Sequence, residues 1–213
     1  MTNRESGRWC RQFAAAFWMS FATVANAATV TVEIADASGA AARDAVVYAE
    51  PAGGRVPQGT AKGAVIDQIS KEFVPRVSVM QAGASVRFPN KDNIRHHVYS
   101  FSPAKSFELK LYSGVPAQPV AFDKPGTVVL GCNIHDKMVA YVLVVDTPHF
   151  TKTDDSGRAR FEGLPAGEYE IKAWQPLADG TEAIAAQRIK VAADAAQGPV
   201  VTLVLKAAAA PSR

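Results

Sequence analysis

The sequence predicts an all-β protein made of β-sandwiches, and three features of its pattern support this fold class. Short segments alternate apolar and polar residues with a period of two, as in 106–112, where Phe107, Leu109 and Leu111 share one face. Clusters of Gly, Pro, Asn and Asp separate these segments as turns. Residues 64–146 show no sustained helical period. Short strands separated by regular turns are typical of a sandwich.

Residues 1–27 have the pattern of an export signal. Arg4, Arg8 and Arg11 give a basic start, an apolar stretch follows, and residues 25–27 read Ala-Asn-Ala, a small-x-small cleavage pattern. The apolar stretch is shorter than the roughly 20 residues that cross a bilayer, and no later stretch is long or apolar enough to do so. We therefore expect a signal peptide, a periplasmic location and no membrane span.

The charge of the chain argues against two classes of partner. Without residues 1–27 it keeps 20 Lys and Arg against 19 Asp and Glu, a net charge of +1. This balance provides no basic surface for nucleic acid and no polybasic tract for a membrane.

Cleavage at residue 27 also leaves Cys132 as the single cysteine. A lone cysteine cannot form an internal disulfide in an oxidising compartment, where a free thiol is open to oxidation. Binding a metal would protect this thiol. The alternatives are a buried inert cysteine and an intermolecular bridge.

Cys132 begins a cluster of metal-binding side chains. Residues 132–138 read Cys-x2-His-x2-Met, with His135 and Met138 after the cysteine, and the pair His96-His97 lies upstream. Two imidazoles, a thiolate and a weak axial thioether form the blue-copper electron-transfer site. One cysteine and two histidines also suit zinc, but the methionine favours copper.

The remaining strands are predicted in chain order from alternation and turns. The tail at 207–213 is predicted to be disordered, and 181–197, although rich in alanine, is predicted to be mostly strand because Ile189 and Val191 alternate. Residues 51–63 are predicted to be a Pro- and Gly-rich loop. The predicted strands are 29–34, 45–49, 64–79, 86–88, 97–101, 106–112, 121–122, 128–130, 139–145, 158–161, 168–174, 188–191 and 200–205.

Residues 64–146 resemble the cupredoxins, and most closely, in loop spacing, amicyanin. The matching residues are Phe73-x-Pro75, Val79-x3-Gly83-x2-Val86-x-Phe88-x-Asn90, a histidine eight residues after Phe88, Gly126, and the Cys-x2-His-x2-Met loop in its short form. The resemblance implies a Greek-key sandwich with one type 1 copper site. Its ligands would be His96, Cys132, His135 and, axially, Met138.

His97 is a rival for the upstream ligand position. It falls where the family usually has an asparagine that braces the ligand loop. The offset favours His96, and because adjacent strand residues point to opposite faces, only one of the two histidines can face the site.

The resemblance implies a one-electron carrier and not an enzyme. We expect the carrier to be monomeric and to exchange electrons with a redox protein such as a dehydrogenase or cytochrome. An amicyanin-like role in methylamine utilization is the finer expectation, although Asp136 and Lys137 put charges where the family has an apolar docking patch. Two alternatives stay open. One is a copper carrier or storage module without electron transfer, and the other is a structural sandwich without a working site.

The flanks resemble carboxypeptidase regulatory-like, or transthyretin-like, sandwich modules. The matching residues are Asp36-x2-Gly39 with 45–48, and Asp154-x2-Gly157-x3-Phe161-x2-Leu164-Pro165-x-Gly167-x-Tyr169. We predict that 28–57 and 147–206 form one small Ig- or transthyretin-like sandwich, split by a cupredoxin domain at 58–146. The alternative is a sequential layout in which 28–63 supplies extra cupredoxin strands.

Overall fold

A computed structural model describes residues 28–54, 61–116, 118–193 and 197–208. The predicted signal peptide at 1–27 and the last part of the predicted tail, 209–213, lie outside the described residues. All helical or strand structure in the described ranges is β-strand, which confirms the all-β fold class. Those ranges accordingly contain no helix with the length and apolar character needed to cross a membrane.

The strands follow one another along the chain with short connections. Their bounds are β1 (Ala28–Ala35), β2 (Val46–Pro51), β3 (Ala64–Val65), β4 (Asp67–Ile69), β5 (Glu72–Val74), β6 (Val77–Gln81), β7 (Ala84–Arg87), β8 (His96–Ser102), β9 (Lys105–Tyr112), β10 (Val120–Phe122), β11 (Gly126–Gly131), β12 (Val139–Val145), β13 (Phe150–Lys152), β14 (Arg158–Leu164), β15 (Gly167–Pro176), β16 (Glu182–Val191), β17 (Gln197–Val204) and β18 (Lys206–Ala207).

Two sheets combine strands from the two ends of the chain. One has the order β14-β1-β17 and the other the order β13-β2-β15-β16-β18. Their facing sides enclose an apolar core that includes Val30, Val32, Phe161, Ile171 and Leu203. We call residues 28–54 and 147–208 the flanking sandwich.

The middle of the chain forms a second sandwich, here called the middle sandwich (residues 61–146). A sheet of order β6-β12-β11-β8-β9 is accompanied by a smaller sheet of order β10-β7-β3 and by the hairpin β4-β5. β6 is parallel to β12, whereas β8, β9, β11 and β12 pair antiparallel. Its core includes Phe88, Phe122, Leu130, Cys132 and Met138, so the predicted site residues are built into the core itself.

The chain leaves and re-enters the flanking sandwich at neighbouring points. β2 and β13 are antiparallel, with Tyr48 opposite Phe150 and Val46 opposite Lys152. The backbone N–H of Ala49 donates to the carbonyl of His149 at 2.9 Å, next to the Tyr48–Phe150 pair. β1 and β2 pair only with flanking strands among the described residues. The inserted layout and its exact domain boundaries stay a prediction.

Two regions differ from the predicted strands. The predicted strand at 64–79 is divided into β3 to β6, because Ser70 (φ 55°) and Lys71 (φ 63°) adopt left-handed backbone conformations and turn the chain between β4 and β5. Ala207, predicted to begin a disordered tail, pairs with Ala183 of β16. Non-glycine residues with positive φ are uncommon, which is why the sequence gives no warning of this turn.

The two sandwiches share a small buried apolar cluster. The outer face of β6 and β12 contributes Val77, Tyr141, Leu143 and Val145, and the flanking sandwich contributes Val46 and Trp174. Lys152 adds a polar link, because its Nζ donates to Asp44 and, at 3.0 Å, to the carbonyl oxygen of Val77. The outer face of the larger middle sheet is thus partly covered by the flanking sandwich.

Candidate metal centre

Three of the four predicted ligands converge at one end of the middle sandwich. The Sγ of Cys132 lies 3.7 Å from Nδ1 of His96 and 3.7 Å from Nδ1 of His135. The two imidazole rings are 5.0 Å apart between centroids, and the three ligand atoms all lie within 4.8 Å of one another. Such separations suit one ion bound through bonds of about 2.0–2.3 Å.

The ends of two paired strands bring Cys132 and Met138 close in space. Gly131, the last residue of β11, pairs with Val139, the first residue of β12. Cys132 follows Gly131 and Met138 precedes Val139, so they are the first and last residues of the loop that joins β11 to β12. Within the loop, the backbone N–H of His135 donates to the carbonyl of Cys132 at 3.3 Å, and that of Met138 donates to the carbonyl of His135 at 2.9 Å. These two turns compact the loop and return Met138 to the core.

Burial divides the loop into an inner and an outer part. Cys132 and Met138 are buried in one apolar cluster, His135 is partly exposed, and Asp136 and Lys137 are exposed. The inner part thus offers a thiol and a thioether away from water. The outer part carries Asp136 and Lys137, the charged pair that follows His135 in the sequence.

The strand geometry directs His96 and His97 to opposite sides. His96 is fully buried and faces Cys132, whereas Nε2 of His97 lies 2.9 Å from Oε1 of Glu108. The ring of His97 also lies 5.5 Å from that of Tyr99, the next residue on its face of the strand. The geometry therefore brings His96, and not His97, into the cluster, as expected for adjacent residues of a strand.

Asp92 is a residue of the site that the sequence reasoning missed. Its Oδ2 lies 2.7 Å from Nε2 of His96, on the other ring nitrogen from the one that faces Cys132. The backbone N–H groups of Ser70 and Lys71 donate to the same carboxylate at 2.6 and 2.9 Å. An available clue was a carboxylate four residues before the histidine, in the loop that leads to it.

The environment of Asp92 keeps it in its charged form. Burial by itself raises the pKa of this carboxyl, but the hydrogen bonds from the Lys71 backbone, the His96 ring and the Ser70 backbone outweigh burial and lower the pKa below its ordinary value. A carboxylate accepts hydrogen bonds and cannot donate them. In this contact His96 is therefore the donor through Nε2, and a neutral ring with its proton on Nε2 has its lone pair on Nδ1.

A buried polar frame holds the loop that carries Asp92. The side-chain amide of Asn90 donates to the carbonyls of Ile94 at 2.8 Å and Tyr112 at 2.9 Å, and its Oδ1 accepts the backbone N–H of Asp92 at 3.0 Å. The hydroxyl of Tyr112 donates to the carbonyl of Phe88 at 2.6 Å. Burial raises the pKa of Tyr112 to about 12, so this hydroxyl stays protonated at neutral pH.

The donor set fits a soft transition-metal ion. It consists of one thiol, two imidazole nitrogens directed at it and a buried thioether nearby, and copper prefers these ligand types. A cavity of about 310 Å³ opens beside the loop and is lined by His97, Glu108, Lys110, Leu111, Asn133 and Ile134. None of the four predicted ligands lines that cavity.

Comparisons with known proteins give partial structural likenesses. No family model and no curated protein matches the sequence. Among solved structures, the chain is similar to a copper-containing nitrite reductase from Thermus scotoductus at 22% identity and a TM-score of 0.37, over 39% of this chain and 22% of that one. It is also similar to a purple cupredoxin from Nitrosopumilus maritimus at 19% identity and a TM-score of 0.35, over 38% of this chain and 99% of that one.

A third likeness is to amicyanin from Paracoccus versutus, at 16% identity and a TM-score of 0.33, over 39% of this chain and 81% of that one. At such identities and scores, the likenesses bear on the fold at most. The chemistry of the site is therefore inferred from the side chains of this chain alone.

Proposed function

We propose that this chain is an exported type 1 copper protein that carries single electrons between redox partners. The convergence of the Cys132 thiol with Nδ1 of His96 and His135, at 3.7 Å each, is the observation that supports it. The same three residues, with Met138 as the weak axial ligand, would hold one copper ion. Copper bound there would alternate between Cu(I) and Cu(II) and so supply one-electron chemistry.

The framework around the site suits a carrier. His96 belongs to β8, Cys132 directly follows β11 and Met138 directly precedes β12, so three of the four proposed ligands are held by paired strands, and His135 lies in the loop between β11 and β12. Ligands that move little between oxidation states keep the reorganisation energy low. The partly exposed ring of His135 gives a short path from the buried thiolate to the surface.

The surface of the ligand loop, with the cavity beside it, is relevant both to enzymatic activity and to the choice of redox partner. None of the four proposed ligands lines the cavity beside the loop, and we therefore propose a carrier and not an enzyme. The partner would approach His135 through a loop that exposes Ile134, Asp136 and Lys137. We propose a periplasmic dehydrogenase or cytochrome that recognises both charged and apolar groups, with an amicyanin-like role in amine oxidation as the finer version, and a monomeric carrier.

A second candidate is a copper carrier or storage module. The partial exposure of His135 favours it, because an accessible ligand at the rim permits exchange of the metal with a donor protein. Such a module would bind Cu(I) tightly and would have no reversible redox couple.

The visible spectrum after addition of Cu(II) to the purified mature protein tests these candidates. An electron carrier gives a strong thiolate-to-copper band at about 600 nm, which Cys132→Ser abolishes. Met138→Ala keeps this band but alters the reduction potential. A colourless copper complex contradicts the blue-copper proposal and favours the second candidate. If copper fails to raise the melting temperature, specific binding to the native state is absent and the chain is a structural sandwich.

A further inference from the structure

Asp92 approaches His96 from the side of the ring away from the proposed metal. Its Oδ2 lies 2.7 Å from Nε2, whereas Nδ1 of the same ring faces Cys132 Sγ at 3.7 Å. The His96 side chain is fully buried and that of Asp92 is 14% exposed. The contact is thus partly shielded from water, which strengthens a charge-assisted hydrogen bond.

A turn that is distant in sequence holds the carboxylate in place. Ser70 N–H donates to Oδ1 at 2.6 Å and Lys71 N–H donates to Oδ2 at 2.9 Å. Both residues have left-handed backbone conformations, which direct the two successive N–H groups to one acceptor. The β4-β5 hairpin therefore fixes Asp92, and Asp92 in turn fixes the ring of His96.

We propose that Asp92 is a positioning residue of the metal centre, anchored by the β4-β5 turn, which selects Nδ1 of His96 as the ligand atom and favours Cu(II) over Cu(I). This inference rests on the proposed function. By accepting a hydrogen bond from Nε2–H, the carboxylate prevents the ring from presenting that nitrogen to the metal. By increasing the electron density of the imidazole, it strengthens the ligand.

The preference for Cu(II) follows from charge. A more basic imidazole stabilises the ion of higher charge more than the ion of lower charge, and the negative carboxylate acts in the same direction. Removal of the carboxylate charge should weaken Cu(II) binding more than Cu(I) binding. The reduction potential of the variant should therefore be higher than that of the wild type.

Asp67 provides a matched control on the same hairpin. Its Oδ2 pairs with Nζ of Lys91 at 2.7 Å, and its side chain is 21% exposed. Asp67→Asn removes one negative charge from this region and breaks a contact between the hairpin and the same loop, but does not touch His96. A general effect of charge or of hairpin stability would appear in both variants.

The experiment compares full mature wild type, Asp92→Asn and Asp67→Asn for Cu(II) and Cu(I) affinity, reduction potential and visible spectrum. Asp92→Asn should lose about 10-fold or more in Cu(II) affinity, the lower end of the range for outer-shell partners, with a smaller loss for Cu(I). Each tenfold decrease in the ratio of Cu(II) affinity to Cu(I) affinity raises the reduction potential by about 59 mV. Asp67→Asn should keep the wild-type ratio and potential.

A second measurement does not depend on a variant or on copper. In the metal-free wild type, the ¹⁵N chemical shifts of the His96 ring should show the proton on Nε2, and a proton on Nδ1 alone would overturn the inference. It is equally overturned if copper-loaded Asp92→Asn has the wild-type potential, or if Asp67→Asn shifts the potential equally. Wild type that binds no copper would instead defeat the proposed function itself, and this inference with it.

Discussion

The ring of Tyr99 occupies the space in which a side chain of residue 131 would lie. A Cβ placed on Gly131 would fall 2.7 Å from Cζ of Tyr99 and 2.8 Å from its hydroxyl oxygen. The two residues are partners in the pairing of β11 with β8. Since Cys132 is the next residue, the fit between Gly131 and Tyr99 sets the backbone position from which the thiol projects.

We predict that Gly131→Ala disturbs the proposed site as well as the fold. The added methyl must displace the Tyr99 ring or the backbone next to Cys132, and overpacking of this kind costs about 1–3 kcal/mol. Denaturant unfolding should show this loss. The visible band of the copper-loaded protein should shift or weaken, because the thiolate moves relative to the imidazoles.

The double variant Gly131→Ala with Tyr99→Ala is the control. It removes the ring that clashes and should restore the wild-type band, even though Tyr99→Ala alone loses packing. A double variant with the same altered band as Gly131→Ala would contradict the steric explanation.

The two adjacent histidines should differ sharply on substitution. His96→Ala removes a fully buried group that faces Cys132 and should abolish the blue band. His97→Ala removes the contact with Glu108 at 2.9 Å and the packing against the ring of Tyr99, both on the side away from Cys132, and should keep the band and one copper per chain. Copper titration monitored by visible absorbance measures both effects.

Glu108→Ala is the matched control for His97, because it breaks the same contact from the other side. The two variants should resemble each other in spectrum, whereas His97→Ala should lose more stability, because His97 is buried and the Glu108 side chain is 53% exposed. Loss of the band in His97→Ala, with His96→Ala unaffected, would reverse the assignment of the upstream ligand.

The sequence predicted the central loop more completely than its surroundings. Cys132, His135 and Met138 lie within one hairpin, so their spacing can be recognised from the local sequence alone. The alternation of a strand allowed only one of His96 and His97 to face the site, and the offset within the resemblance favoured His96. The position of Asp92, four residues before His96, was a local clue, but its anchoring by Ser70 and Lys71 was not visible, because their left-handed turn has no sequence signature.

The arrangement of the two sandwiches is a second feature that depends on residues distant in sequence. The pattern Asp-x-x-Gly at Asp36 and Asp154 indicated a split sandwich. The sequence did not reveal which surfaces of the two sandwiches meet, because Tyr141 and Trp174 look like ordinary core residues of their own strands. The apolar cluster that both residues join depends on how the outer face of one sheet packs on the other sandwich.

Trp174 should be a major contributor to that contact. It is 3% exposed, and truncation of a buried tryptophan typically costs about 3–5 kcal/mol. Trp174→Ala should lower the free energy of unfolding by an amount of this order, while the copper band stays unchanged. Denaturant unfolding followed by circular dichroism, together with the visible spectrum, measures the two effects.

Trp174→Phe separates packing from hydrogen bonding. Among the described residues, the buried Nε1 of Trp174 has no hydrogen-bond partner, so loss of this N–H should carry no penalty of its own. The phenylalanine variant should therefore be clearly more stable than the alanine variant. Equal losses in the two variants would indicate that the N–H has an acceptor.

Two equivalent turns of the flanking sandwich should make its stability depend on pH in the acid range. Oδ1 of Asp154 accepts the backbone N–H and hydroxyl of Ser156 at 2.9 and 2.6 Å. Oδ1 of Asp36 does the same with Ser38 at 2.8 and 2.6 Å. The serine hydroxyl is the main cause that lowers the pKa of each carboxyl below its ordinary value.

The sign of the effect follows from this direction. Because the folded-state pKa lies below the unfolded value of about 3.9, the two carboxylates contribute their full stabilisation above that pH. The contribution is lost as the pH falls through the folded-state pKa values, since the unfolded chain then binds protons more readily. The free energy of unfolding should accordingly decrease between about pH 5 and pH 2.

Asp36→Asn with Asp154→Asn tests this assignment by denaturant unfolding at a series of pH values. Asparagine keeps a side-chain oxygen for the turn but does not titrate, so the double variant should be less stable near neutral pH and should have a shallower decrease in acid. Asp155→Asn, which removes an exposed charge paired with Arg43 at 3.6 Å and none of these acceptors, is the control. An unchanged pH profile in the double variant would mean that other carboxylates govern the acid sensitivity.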